Sequence, residues 1–187
     1  SGAGSLRQAI TDANASGGAD IIDFNIAGTG VHTITLVSAL PSITGTVVID
    51  ATTDDSFAAN GSQPAIVLNG NSLAFAGLTL SADADGSTIR GLVIKNFDVA
   101  SIRIESGSSG NTIAGNYFGA LNADGSHDAG AQAMTYLVDV RGDNNVIGGS
   151  TAADRNVMIN NGANYGVFVF EAGAFSNRIQ GNHIGTN

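Results

Sequence analysis

"NTIAGN", residues 111–116, decides how this chain is read, because the chain says nearly the same thing three more times. "NRIQGN" stands at 177–182, and looser copies stand at "STIRGL", 87–92, and "NVIGGS", 145–150. Aligned on these phrases, Ser87, Asn111, Asn145 and Asn177 share one place. Ile89, Ile113, Ile147 and Ile179 share a second, and Gly91, Gly115, Gly149 and Gly181 a third. The anchors lie 24, 34 and 32 residues apart. A constant phrase at a varying interval marks a repeated coil that takes insertions in its loops. Upstream of each copy runs an alternating segment: "GLTL" at 77–80, "SIRI" at 101–104, "LVDV" at 137–140 and "GVFV" at 166–169. Such alternation is what strands with one buried face show.

Three residue types recur for three physical reasons. Isoleucine stacked on isoleucine, layer over layer, packs a dry interior. Asparagine tolerates the left-handed turn conformation, and stacked side-chain amides can bond one another from layer to layer. Glycine serves where the backbone bends and no side chain fits. The expected fold is therefore all-β: a right-handed parallel β-helix, a solenoid of stacked coils. A β-sandwich has turns as frequent, but it gives no reason for an Asn-Ile-Gly phrase in register.

The first stretch differs. In "SLRQAITDANASGG" the apolar Leu6, Ala9, Ile10 and Ala13 form one helical stripe. Ser5 with Gln8 reads as a capping box, and Gly17 or Gly18 as the stop. One amphipathic helix, about 6–15, is expected to cap the first coil. No second helix is evident; short β segments follow, among them "DIIDFNI", "VHTITLV", "GTVVID", "PAIVLNG" and "LAFAGLTL". The expected organisation is a single domain, with the capping helix in 1–18 and coils over 19–187. "SGAGS" reads as a processed boundary. "GNHIGTN" stops within a repeat, so the chain reads either as the N-terminal piece of a longer protein or as a chain whose open far edge pairs with another.

Composition narrows the function. The charged share is 12%, about half the usual value, so Asn, Ser, Thr and Gly keep the surface polar. Seven basic residues against sixteen acidic ones leave a net charge of −9, the wrong sign for nucleic acid. No apolar run is long enough for a membrane span. Cysteine is absent, which removes disulfides, thiol catalysis and cysteine-held zinc.

"GSLRQAITDANA", "ADIIDFNIAGTGVHTITL" and "LPSITGTVVIDATT" resemble the N-terminal segment of bacterial secreted and surface β-helix repeat proteins, whose signature is Cys-Ser-Leu-Arg-Glu-Ala-Ile with an Ala-Asn shortly after. Gly4 stands here for the cysteine and Gln8 for the glutamate. "NNVIGGSTAADRNVMINNGANYGVFVF" and "SNRIQGNHIGTN" resemble the repeats that follow. The resemblance covers nearly the whole chain. It implies a large exported, adhesin-like protein at the bacterial surface or outside the cell. The same scaffold carries polysaccharide lyases and hydrolases, so fold alone does not set activity.

Candidate chemistry is sparse. Asp139, Arg141 and Asp143 in "VDVRGDNN" form the densest charged cluster. A lyase reading makes Arg141 the base, with calcium held by neighbouring aspartates. The simpler reading is an outward ion pair before a turn. Arg-Gly-Asp at 141–143 is also a tripeptide that integrin-type receptors engage. Asp54 and Asp55 in "TTDDSFAANGSQ" read as a solvated turn. The Gly-His-Gly stretch of polygalacturonase-like enzymes is missing. "SADADGS" and "NADGSHD" are oxygen-rich, making Asp83, Asp85, Asp124 and Asp128 the calcium candidates, although neither loop has EF-hand spacing. His32, His127 and His183 lie too far apart in sequence to suggest zinc. Tyr117, Phe118, Tyr136, Tyr165 and Phe168 are either an outward sugar-stacking strip or core and cross-layer stacks. The expectation is a non-catalytic structural or adhesive module that requires no cofactor. Outward side chains and the insertions near 120–133 and 150–155 would contact a glycan or cell-surface partner. A polysaccharide lyase or glycoside hydrolase is the alternative.

Overall fold

A computed structural model describes residues 2–162 and 165–185. Thr186 and Asn187, the end of the last repeat phrase, lie outside the described residues. The chain opens with helix α1 (Leu6–Ala15) and continues through β1 (Asp20–Asp23), β2 (His32–Thr35) and β3 (Val47–Asp50). A 3₁₀ turn (Ala51–Thr53) and a short helix α2 (Asp55–Ala59) lead to β4 (Ile66–Leu73) and β5 (Leu78–Leu80). Next come β6 (Thr88–Arg90), β7 (Leu92–Phe97), β8 (Ala100–Ile104), β9 (Thr112–Ala114), β10 (Tyr117–Gly119), β11 (Tyr136–Val140) and β12 (Val146–Gly148). After a second 3₁₀ turn (Ala152–Asp154) follow β13 (Val157–Ile159), β14 (Tyr165–Val169), β15 (Arg178–Gln180) and β16 (His183–Ile184).

The strands form three sheets in which every named pairing is parallel. The first has the order β1-β3-β6-β9-β12-β15, the second β2-β4-β7-β10-β13-β16, and the third β5-β8-β11-β14. From β3 onward the chain visits the first, second and third sheets in rotation. Parallel pairing throughout rules out a sandwich of antiparallel hairpins. The four "upstream" segments become β5, β8, β11 and β14, neighbours in one sheet.

Register places like on like. In the first sheet Ile22, Ile49, Ile89, Ile113, Ile147 and Ile179 are successive partners. Ile49, Ile89, Ile113 and Ile147 are completely buried. The second sheet contributes Leu68, Ile94, Phe118 and Met158 in line, and the third Ile102 with Val138, and Ile104 with Val140. All but Ile179, which is exposed at the last strand of its sheet, join one apolar core. Each such side chain is worth roughly 1.5–3 kcal/mol on burial.

The repeated asparagine lies beside this core. Asn111 Oδ1 accepts from the Ser87 amide (2.8 Å), Asn145 Oδ1 from the Asn111 amide (2.9 Å) and Asn177 Oδ1 from the Asn145 amide (2.8 Å). Asn111 Nδ2 also donates to Asn145 Oδ1 (2.9 Å), making the amide ladder that the sequence suggests. The left-handed residue, however, is the one before each rung. Gly86, Gly110, Asn144 and Ser176 have positive φ, whereas the rungs do not. A turn residue and a bonding residue are thus two neighbours, not one.

A second ladder runs alongside. Asn116 Oδ1 accepts from the Leu92 amide, Asn156 Oδ1 from the Asn116 amide and Asn182 Oδ1 from the Asn156 amide. Asn116 and Asn182 end their phrases, but the phrase at 145–150 ends in Ser150. The 3₁₀ turn and Arg155 are inserted there, and Asn156 restores the rung.

Helix α1 keeps its expected bounds. Ser5 caps it by accepting from the Gln8 amide, but Gln8 bonds Asp12 instead of reaching back, so the capping box is half-formed. The stop differs in detail: Ser16 is the extended C-cap and donates back to Asp12 and Ala13, Gly17 has ordinary φ, and the glycine with positive φ is Gly18, two residues past the cap. Leu6 and Ile10 are buried in the core, as the apolar stripe requires. Asn14 pins the helix to the chain beside β3, donating to Ser42 O (2.7 Å) and accepting from the Thr44 amide (2.9 Å).

Helix α2 corrects the expectation of a single helix. Asp54 is not in a solvated turn. Its side chain is fully buried, and its carboxylate accepts from the Ile26 amide (2.8 Å), the Ser56 amide (3.0 Å) and the Ser56 hydroxyl.

Candidate functional site

Where the chain passes from the first sheet to the second, the corner glycines carry no side chain, so the outer surface there is backbone. Gly91 and Gly115 have positive φ, and so does Gly181. Gly149 does not; the left-handed residue in that copy is Gly148. Two insertions press onto this corner. A Cβ on Gly91 would lie 2.7 Å from Thr52 Cγ2, and one on Gly115 would lie 2.8 Å from Ala153 O. The segment with the first 3₁₀ turn and α2 therefore forms one wall and the segment with the second 3₁₀ turn another.

Between them lies a cleft of about 510 Å³, lined by Thr52, Phe57, Pro64, Arg90, Tyr117, Arg155 and His183 among others. That volume falls within the range of small-ligand sites. Tyr117, Val157 and His183 are register partners on successive strands, so the second sheet supplies the floor beyond the glycines. Arg90 reaches in from β6. Its guanidinium bonds Asp50 at 2.6 Å and is raised above its usual value, chiefly by that bond against the opposing effect of burial. Its side chain remains half-exposed, at 50%. Arg155 is held by a bond from Nε to Gly181 O (3.3 Å). Tyr117 donates to Gln63 (3.3 Å), and burial, then Asp124, push its phenol upward.

A second hollow of about 550 Å³ lies farther along the outer face of the second sheet, lined by Thr33, Asn69, Lys95, Asn96, Asn122 and Asp124 among others. A bridge separates the two. Asn60 Nδ2 donates to Ala123 O (2.8 Å), and Ala123 packs on Val67, Val93 and Tyr117. The loops at 51–65 and 120–135 thus meet over one sheet face.

Asp139 and Arg141 are brought together elsewhere, on the third sheet. Asp139 is completely buried, yet it faces two arginines: Arg103 Nε at 2.9 Å and Arg141 Nη2 at 3.0 Å. Glu171 and Glu105 face Arg141 at 3.5 and 3.9 Å. The expected exposed ion pair is thus part of a closed network. Asp139 holds Arg141 above its usual value against the effect of burial, the opposite of what a base needs. Asp143 stands apart, accepting from Asn144 Nδ2 at 2.6 Å. Gly142 of the Arg-Gly-Asp tripeptide is buried against Ser108, where an added Cβ would meet its carbonyl at 1.8 Å.

The calcium candidates fall on two separate turns. Asp85 accepts from the Ser109 amide (2.6 Å), and Asp83 is exposed beside it. Asp124 accepts from the Ser126 amide and hydroxyl, while Asp128 pairs with Lys95 at 2.7 Å and accepts from the Gly130 amide. Lys95 lowers the Asp128 carboxyl, with burial opposing. Among the described residues no group of three or more His, Asp or Glu is placed to hold a metal ion. Among the described residues no helix is long and apolar enough to cross a membrane.

The aromatic residues divide. Phe118 is core and Tyr117 lines the cleft, whereas Tyr136, Tyr165, Phe168 and Phe170 stack in a run with centroids 4.8–5.7 Å apart. Sequence reasoning did not find the cleft. Its walls come from residues 52–64 and 152–155 and its floor from four strands, so no local motif announces it. The one available signal was the pair of arginines, Arg90 and Arg155, beside corner phrases. No family model, curated protein or solved structure matches the chain.

Proposed function

We propose that the three stacked sheets form a right-handed parallel β-helix and that the chain is a non-catalytic, adhesin-like binding module of an exported bacterial surface protein. The rotation of strands among three parallel sheets supports the first part, together with two amide ladders that repeat once per layer. The resemblance of the opening segment and the repeats to secreted β-helix proteins supports the second. One observation carries the binding role. Insertions far apart in sequence, at 51–65, 120–135 and 149–156, all lie on the outer face of one sheet and enclose two hollows there. A stiff stack with its loops gathered on one side displays a preformed surface, which lowers the ordering cost of binding.

The closed network around Asp139 favours binding over cleavage, because neither arginine there is available as a base. The test combines retention on immobilised glycans or bacterial cell-wall preparations with product release. Wild type is expected to be retained and to release no unsaturated product or new reducing end from polyuronides or neutral glycans. Release of either product, abolished by Arg141→Ala, would replace this reading with that of a lyase or hydrolase.

A further inference from the structure

We infer that the cleft at the first corner takes a saccharide unit carrying an acidic group, a carboxylate or a sulfate ester. This rests on the binding-module reading and specifies its ligand. The chain has seven basic residues and a net charge of −9, yet two arginines and a histidine line this single hollow. Arg155 is the stronger anchor. It pairs with no carboxylate among the described residues, and only its Nε is engaged, by Gly181 O. Its two terminal nitrogens therefore present a planar donor pair, the geometry that suits a carboxylate or sulfate. Arg90 adds charge from β6. Asp50 occupies one of its nitrogens, while half of the side chain stays exposed.

The carboxylates that act on Arg90 are already bonded. Asp154 accepts from the Thr151 amide (3.0 Å) and hydroxyl (2.8 Å), and Asp50 is taken up by Thr52 and Arg90. The remaining lining fits a sugar ring. Tyr117 and Phe57 offer flat apolar surfaces on which the C–H face of a pyranose rests, and Thr52 and Ser62 offer hydroxyls. A cleft of about 510 Å³ admits one or two rings. A polycation is disfavoured by the arginines, and a nucleic acid by the acidic surface around them.

Calorimetric titration of the whole chain with three hexasaccharides tests this: one built of uronic acids, one sulfated, and one neutral. The acidic probes are expected to bind at least about tenfold more tightly than the neutral one, with the better of the two naming the acid. Arg155→Ala should weaken the acidic probe about tenfold and leave the neutral probe unchanged. Arg155 is a surface side chain, so the fold should survive, and an unaltered thermal midpoint checks it. Arg178→Ala, outside the cleft, should change nothing. Equal binding of acidic and neutral probes, or an acidic affinity untouched by both Arg155→Ala and Tyr117→Ala, overturns this inference while the binding module stands. Absence of binding to any of the three, joined by no retention on cell-wall material, overturns both.

Discussion

At the scale of the residue, the asparagine rung does what no other side chain of its size can do. Asn111 accepts the Ser87 amide beside one neighbouring strand and donates to Asn145 beside the other, with all three residues buried. Removing it orphans the buried Ser87 amide, and an unsatisfied buried donor costs about 1–3 kcal/mol. Asn111→Ala should therefore lower the urea-unfolding free energy by about 2–4 kcal/mol once the lost bonds to Asn145 and Ser108 are included. Asn177→Ala, at a half-exposed rung, should cost less than half as much. A loss below about 0.5 kcal/mol at Asn111 would show that the ladder is ornament. This rung was legible in the sequence, because its neighbours Ile113 and Gly115 repeat with it. Asn156 was not: five inserted residues separate it from its phrase, and the bonding that identifies it acts across 40 residues to Asn116. Nor does alternation along "LVDV" reveal that Asp139 is buried, since one of the two arginines that cover it, Arg103, comes from β8, 36 residues away.

At the scale of the element, α2 turns on one carboxylate. "TTDDS" reads locally as a turn because each of its residues is at home in one, and the partner that makes Asp54 a buried cap, the Ile26 amide, lies 28 residues away. Burial alone would raise the Asp54 carboxyl; bonds from Ile26 and Ser56, with His32 nearby, outweigh it and hold it below 3.8. A folded value below the unfolded one means that the stabilisation is fully present above the unfolded value and is lost as the pH falls through the folded one. Unfolding followed from pH 7 downward should thus steepen below about pH 4. Asp54→Asn should be less stable at pH 7 and flatter in that acid limb. An acid limb identical to wild type would remove Asp54 from this role. The corner glycines make a companion case. Gly91 has φ +78°, and its Cβ would meet Thr52 Cγ2 at 2.7 Å. Gly91→Ala should lower the thermal midpoint by several degrees, about 1–2 kcal/mol from the left-handed backbone alone. Gly17→Ala, with ordinary φ and open space around it, should leave the midpoint unchanged or slightly raised.

At the scale of the whole molecule, each strand pairs only with its immediate neighbours in one of three parallel sheets, so in the proposed β-helix stability passes along the stack from neighbour to neighbour. In such an arrangement the total is close to a sum of layer terms and interface terms, and a local defect weakens nearby layers most. The Ile49–Ile89–Ile113–Ile147 column lets this be read, because the same buried side chain recurs at graded distances. Ile147→Ala deletes a fully buried side chain and should cost about 2–5 kcal/mol. Its effect should not be uniform. Amide hydrogen exchange should lose protection first in β12 and its partners β9 and β15, less in β6, and least in β1 and β3. Ile49→Ala should reverse that order. A globular core sharing one cooperative unfolding would instead lose protection everywhere by the same factor in both variants. The same gradient divides the cleft: Arg90 lies on β6, next to Ile49's strand and two strands from Ile147's, whereas Arg155, Val157 and His183 follow β12 in the chain. Ile147→Ala should therefore loosen the Arg155 side of the cleft and leave the α2 wall, anchored through Asp54 and Ile26, protected.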